Sequence, residues 1–241
     1  MKKLYTTLFI LVTFASVCSL SSCQRFRCKR GSGNQVTENR KLSDFNSVDI
    51  SGGFKVTVVQ DSSQTIAVHA DDNLMKYIET SVTGGKLRIK TRRNICSSGE
   101  ITLVIGVRNL NEVDASGAVD LTSQGRINTG DFHFDLSGST KITMELNAAN
   151  VTTSGSGSTE LHLKGQAASH NIDLSGSGDI QALDFVVGKY NIETSGASHC
   201  KINVLNTLSV HTSGASDIQY RGNPSNVSND QSGASSITKI D

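Results

Sequence analysis

The sequence predicts an all-β fold, a parallel β-solenoid (β-helix) with coils of about 19–20 residues, and two observations carry that expectation. The first is a recurring phrase: Ser-Gly, two variable residues, a polar residue, then an apolar one. It begins at Ser116, Ser137, Ser156, Ser175, Ser195, Ser213 and Ser232, with gaps of 21, 19, 19, 20, 18 and 19 residues. A fixed period near twenty marks units that cannot bury an apolar face alone and must stack on their neighbours. The second is alternation of apolar and polar residues, as in Phe132-His133-Phe134-Asp135-Leu136 and Ile142-Thr143-Met144-Glu145-Leu146. A period of two puts every second side chain on one face of a strand, and no window offers a sustained helical stripe.

Aligned on the serine, two columns are mostly apolar and are expected to point inward. Three residues before it stand Val113, Phe134, Thr153, Ile172, Ile192, Val210 and Asn229; five after it stand Leu121, Ile142, Leu161, Ile180, Cys200, Ile218 and Ile237. Ser-Gly between two strands is turn chemistry, since glycine tolerates a positive φ and serine bonds locally to the backbone. Each coil then holds two or three short strands.

Residues 1–22 read as an export signal: Lys2 and Lys3, an apolar run from Leu4 to Leu20, then Leu20-Ser21-Ser22-Cys23. The run is short for a spanning helix and interrupted by Thr and Ser. Its end resembles the lipobox of bacterial lipoproteins, which implies that Cys23 carries the lipid and joins the chain to a membrane. Residues 23–41, small and polar, read as a tether holding a basic cluster, Arg25, Arg27, Lys29 and Arg30, suited either to anionic head groups or to solvent. Without residues 1–22 the formal charge goes from +1 to −1, which leaves no electrostatic case for nucleic acid. Of five cysteines, Cys18 leaves with the signal and Cys200 sits in an inward column as a small hydrophobe. Cys28 and Cys96 are candidates for a disulfide in an oxidising compartment, although the odd count and the place of Cys28 in the tether count against it.

The folded part, 42–241, is expected as one domain, with degenerate coils at 42–112 and regular ones at 113–241. The early segments, such as Phe54 to Val59 and Ile101 to Val107, are rich in β-branched residues. Val48-Asp49-Ile50-Ser51-Gly52-Gly53-Phe54-Lys55-Val56 repeats the later phrase.

The Ser-Gly-Ser/Ala phrase, the opening Phe45 to Val58 segment, the Lys86-Leu87-Arg88-Ile89 strand and the closing Tyr220-Arg221-Gly222-Asn223-Pro224 together resemble the autotransporter-adhesin head domain common in Bacteroidetes. The resemblance covers roughly 42–240. It implies a right-handed parallel β-helix in the cell envelope and suggests adhesion. The Gly-Ile-Asn triplet that names that family is absent from this sequence.

Two outward columns carry the charge. Two residues before each serine stand Asp114, Asp135, Ser154, Asp173, Glu193, His211 and Asp230, read as acceptors for turn amides and not as calcium ligands. Four after it stand Asp120, Lys141, Glu160, Asp179, His199, Asp217 and Ser236. Equivalent residues on neighbouring parallel strands lie about 4.8 Å apart, so Asp179, His199 and Asp217 form an acid, imidazole, acid row, the candidate ligand contact. No metal or cofactor is expected and no catalytic residue is assigned. With no Trp, four Tyr and eight Phe, the chain offers few aromatic platforms for sugars. The expected function is a noncatalytic outer-membrane lipoprotein whose surface binds a glycan or extracellular protein, its side of the membrane open. The alternatives are a periplasmic structural or envelope-stress component and, third, a carbohydrate-active β-helix enzyme.

Overall fold

The computed structural model describes residues 28–241, so the expected signal at 1–22 and the acylation site Cys23 lie outside the described residues. Within them the fold is all-β: twelve strands and one 3₁₀ turn at Met75–Tyr77. The strands are β1 (Lys29–Arg30), β2 (Gln35–Lys41), β3 (Ser47–Gln60), β4 (Thr65–Asp71), β5 (Ile78–Thr83), β6 (Lys86–Thr91), β7 (Ile95–Cys96), β8 (Thr102–Val107), β9 (Glu112–Asn128), β10 (Asp131–Arg221), β11 (Asn226–Gly233) and β12 (Ser236–Lys239).

The repeats pair in parallel, phrase against phrase. β9 meets β10 with Ser116 opposite Ser137 and Gly117 opposite Gly138. At the other end of β10, Ser213 faces Ser232 and Ile218 faces Ile237. β3 joins β9 in the same register, Ser51-Gly52 against Ser116-Gly117. The phrase needs its glycine for a steric reason. At Gly138, Gly157 and Gly176 the φ angles are +84°, +92° and +115°, and an added Cβ would fall within 3 Å of the carbonyl oxygen of the preceding glycine in the column. No other residue accepts both that conformation and that approach.

The core follows the two apolar columns. Val113, Phe134, Ile172, Ile192 and Val210 are buried, as are Leu121, Ile142, Leu161, Ile180, Cys200 and Ile218. The last repeat departs from this: Asn229 is exposed and Ile237 half-buried. Some polar groups also lie inside. Thr153 Oγ1 is 2.9 Å from His170 Nε2, while His170 Nδ1 and the Tyr190 hydroxyl are buried without a partner. Burial pushes the His170 imidazole down to about 3 and the Cys200 thiol up to about 12.

The sheet is mixed, which corrects the expectation of a wholly parallel one. β4 runs antiparallel to both β2 and β8, and β5 antiparallel to β6. For β5 and β6 the cause is local turn chemistry: Gly84 and Gly85, at φ +60° and +77°, make a two-residue hairpin between them. Strands that double back in this way cover what would otherwise be an open edge beside β6 and β8, both of which pair parallel to β3.

The expected tether at 23–41 is partly strand. Gln35–Lys41 is held along its whole length by β4, and β1 pairs with β7. Cys28 and Cys96 form a disulfide across that second pairing, with Cα atoms 5.6 Å apart, an ordinary span for such a bond. Beside it the buried Asp71 carboxylate gathers the two segments. It accepts hydrogen bonds from Ser98 Oγ (2.6 Å), Ser97 Oγ (2.7 Å), Ser98 N (3.0 Å) and Gly33 N (2.9 Å). These donors, the Ser98 and Ser97 hydroxyls first, hold Asp71 well below the usual carboxylate range.

Candidate functional site

The row expected at Asp179, His199 and Asp217 lies along one side of an open trough of about 480 Å³. Its floor is made of small residues on successive repeats: Ser177, Ala197, Ala215 and Ala234, with Gly178, Ser198 and Ser216 beneath. The depression is a product of the repeat itself. The position two after each phrase serine is always Ser or Ala from Ala118 onward, while the position four after it is polar and, except at Ser236, larger.

The row is not a set of free charges. His199 Nδ1 lies 3.2 Å from Asp217 Oδ2, Gln219 Nε2 donates to the same oxygen at 2.9 Å, and Ser236 Oγ donates to Asp217 Oδ1 at 2.6 Å. Asp217 is accordingly lowered, by the Ser236 hydroxyl first and then by Gln219 and His199. Asp179 accepts from Gln181 Nε2 at 2.6 Å. Further along the same column, Lys141 Nζ donates to Glu160 Oε1 at 2.7 Å and His162 Nε2 stands at 2.7 Å from that oxygen. Glu160 is lowered and Lys141 raised by this contact.

This arrangement suits recognition better than proton transfer. A glycosidase acid must be held protonated by its surroundings, and Asp217 is biased in the opposite direction with both oxygens already accepting. What the row presents is a fixed pattern of carboxylate oxygens, imidazole and carboxamides above a shallow floor. Among the described residues no group of three or more His, Cys, Asp or Glu could hold a metal ion.

The reading of the other charged column as turn acceptors is corrected. Among the described residues no turn amide donates to Asp114, Asp135, Asp173 or Glu193; Glu193 accepts from Asn191 Nδ2, and Asp114 and Asp230 have partners on other strands. Lys86 Nζ donates to Asp114 Oδ2 at 2.6 Å, and His211 Nδ1 is 3.2 Å from Asp230 Oδ2. Burial raises Asp114 despite that lysine.

Sequence reasoning missed Gln181, Gln219 and His162, each two residues beyond a member of the row. Strand alternation puts them on the same face, so extending the column search by one step finds them. It also missed a second open groove of about 410 Å³, where Ser123, Thr143, Glu145, His162, Lys164 and Asp184 converge. Its origin is the one long gap, 21 residues between Ser116 and Ser137, which shifts the register of β9 against β10 between Thr143 and Glu145.

Residues 44–224 match the family described as "Putative auto-transporter adhesin, head GIN domain". The chain belongs to that family. Among solved structures this head domain is similar to a "putative adhesin" from Bacteroides fragilis, with 18% identity and a TM-score of 0.83 over 88% of this chain and 99% of that one. It is also similar to a "putative lipid binding protein" from Parabacteroides distasonis (20%, TM-score 0.68, 89% and 100%) and a "putative adhesin" from Parabacteroides merdae (17%, 0.64, 88% and 98%). At these identities the likeness is one of fold. No curated protein matches the chain. The family description names no enzymatic activity, and among the described residues of the head domain no helix is long and apolar enough to cross a membrane.

Proposed function

We propose that this head domain is a right-handed β-helix in which the Ser-Gly repeats stack in parallel, carried in the cell envelope by a lipid on Cys23, and that the trough edged by Asp179, His199 and Asp217 binds a polar ligand, a glycan or an extracellular protein segment. The observation that carries the reading is the in-register row of hydrogen-bonding groups above a floor kept low by Ser and Ala. A flat, polar, shallow site with fixed donors and acceptors fits a hydroxyl-rich ligand, and the family's adhesin description is consistent with such a role. The Cys28–Cys96 disulfide supports an oxidising compartment outside the cytoplasm.

The test is binding of the soluble chain to an array of bacterial and host glycans and matrix proteins, with the Asp179→Asn, His199→Gln and Asp217→Asn variants beside it. A hit weakened at least ten-fold by the triple change, with the fold retained, supports the site. A hit indifferent to all three moves the binding surface elsewhere, and silence across the array removes adhesion.

A second reading, a periplasmic structural component, is favoured by the staple at the N-terminal end. Only four residues of chain lie between Cys23 and Cys28, so the folded body cannot stand far from an anchor at Cys23. Protection from added protease in intact cells supports this reading; digestion there refutes it.

A further inference from the structure

Charge is divided along this chain in a way its near-zero total conceals. Among the described residues, 28–95 carry 11 Lys and Arg against 7 Asp and Glu, whereas residues 96–241 carry 8 against 15. The antiparallel end is therefore basic and the regular repeats acidic. The fold concentrates the first of these. β1 lies against β7 with Lys29 N donating to Asn94 O at 2.8 Å, Arg92 N donates to Tyr77 O at 2.9 Å, and Asn73 Nδ2 donates to Arg30 O at 2.9 Å. These contacts bring Lys29, Arg30, Lys76, Arg92 and Arg93 together beside the disulfide, all of them exposed. Among the described residues, ion pairs at this end engage Arg88, Lys90 and Arg92 through Asp49 and Glu79, and leave Lys29, Arg30, Lys76 and Arg93 unpaired.

We propose that this stapled basic end is a contact surface for an anionic lipid bilayer. Two things on the molecule choose that occupant. The acidic repeats would be repelled by a negative surface, so attraction through the basic end also orients the body with its repeats pointing away. And Cys28, fixed by its disulfide, is five residues from Cys23, a distance that extended chain covers in about 18 Å. The proposal deepens the envelope reading above, and its test is kept independent of acylation.

The experiment is flotation of the chain 23–241 carrying Cys23→Ser, which retains every described strand, with vesicles of phosphatidylethanolamine alone or mixed with phosphatidylglycerol. Binding is expected only to the mixed vesicles and is expected to fade as salt is raised. Changing Lys29, Arg30, Lys76 and Arg93 to Gln should weaken it by roughly five-fold per residue. The same number of changes in the repeats, Lys164→Gln, Lys189→Gln, Lys201→Gln and Lys239→Gln, should leave it intact, with circular dichroism confirming both folds. Equal loss in the two variants, binding to the uncharged vesicles, or no binding at low salt overturns the proposal. Mass spectrometry for a lipid on Cys23 of the full-length protein reads the anchoring separately, so a lipidated chain whose unacylated form ignores anionic vesicles refutes the contact surface alone.

Discussion

Replacing Gly157 by alanine adds one carbon at a point where two repeats approach closely. Its φ is +92°, a conformation that costs an L-residue about 1–2 kcal/mol. The new Cβ would also fall within 3 Å of the Gly138 carbonyl oxygen, a backbone atom that cannot swing aside; relieving such overpacking typically costs another 1–3 kcal/mol. The expected loss is about 3 kcal/mol, or roughly 6–12 °C in the thermal midpoint for a chain of this size. Gly53 is the internal control. It is also in a strand, but its φ is not positive and nothing lies within 4 Å of a built Cβ, so Gly53→Ala should change stability by less than about 1 kcal/mol. Urea and thermal unfolding followed by circular dichroism measure both. Equal midpoints for the two variants would mean that the glycine column is not a steric requirement, and the account of the repeated phrase given above would fail.

Other expectations follow from the interior and the staple. His170 is buried with its pKa lowered from 6.5 to about 3, so the unfolded chain binds the extra proton first. Its stabilising effect is complete above pH 6.5 and falls away as pH drops toward 3, by up to roughly 4 kcal/mol; unfolding midpoints across that range should flatten in His170→Gln. Asp71, lowered in the fold, acts in a separate window: its contribution is present above pH 3.8 and lost below it, so Asp71→Asn should remove acid sensitivity there while weakening the fold at neutral pH. Tyr190→Phe deletes a buried hydroxyl that has no partner, and should leave stability within about 0.5 kcal/mol or raise it; a clear loss would reveal a partner for that oxygen. Reducing Cys28–Cys96, which closes a loop with a sequence separation of 68, should cost up to about 4 kcal/mol, read as a drop in midpoint on adding dithiothreitol.

The repeats were legible because their determinants are local and repeated. Ile142 and Ile180 face inward for the same reason, a period of two measured from a Ser-Gly turn, and one alignment placed both inward columns up to the last repeat and the row from Asp179 to Asp217. β2 was not legible. Its sequence, Gln-Val-Thr-Glu-Asn-Arg-Lys, has no apolar face, because it is an edge strand exposed along most of its length, held by the backbone of β4 and not by burial. The disulfide was legible only as a candidate pair: the pairing of Lys29 with Ile95 brings Cys28 to Cys96, and placing Cys28 in a tether had counted against it. The roles of the acidic column misled because an Asp before a turn looks the same whether it serves its own amides or, like Asp114, a lysine from a distant strand. The antiparallel pairings of β4 and β5 escaped because the segments within 42–112 were expected as degenerate coils of the same solenoid.

The phrase-against-phrase register has a consequence for how such a chain can change. Since Ser137 lies opposite Ser116 and Ser232 opposite Ser213, any two points at the same place in neighbouring repeats are nearly interchangeable as splice sites. Removing the 19 residues from Ser137 to Gly155 would rejoin Leu136 to Ser156 with the turn, both inward columns and the glycine approach restored in one step. A gene encoding this chain could therefore lengthen or shorten its protein by unequal recombination between repeats, moving the Asp179 row nearer to or farther from the stapled end while leaving the row itself unaltered.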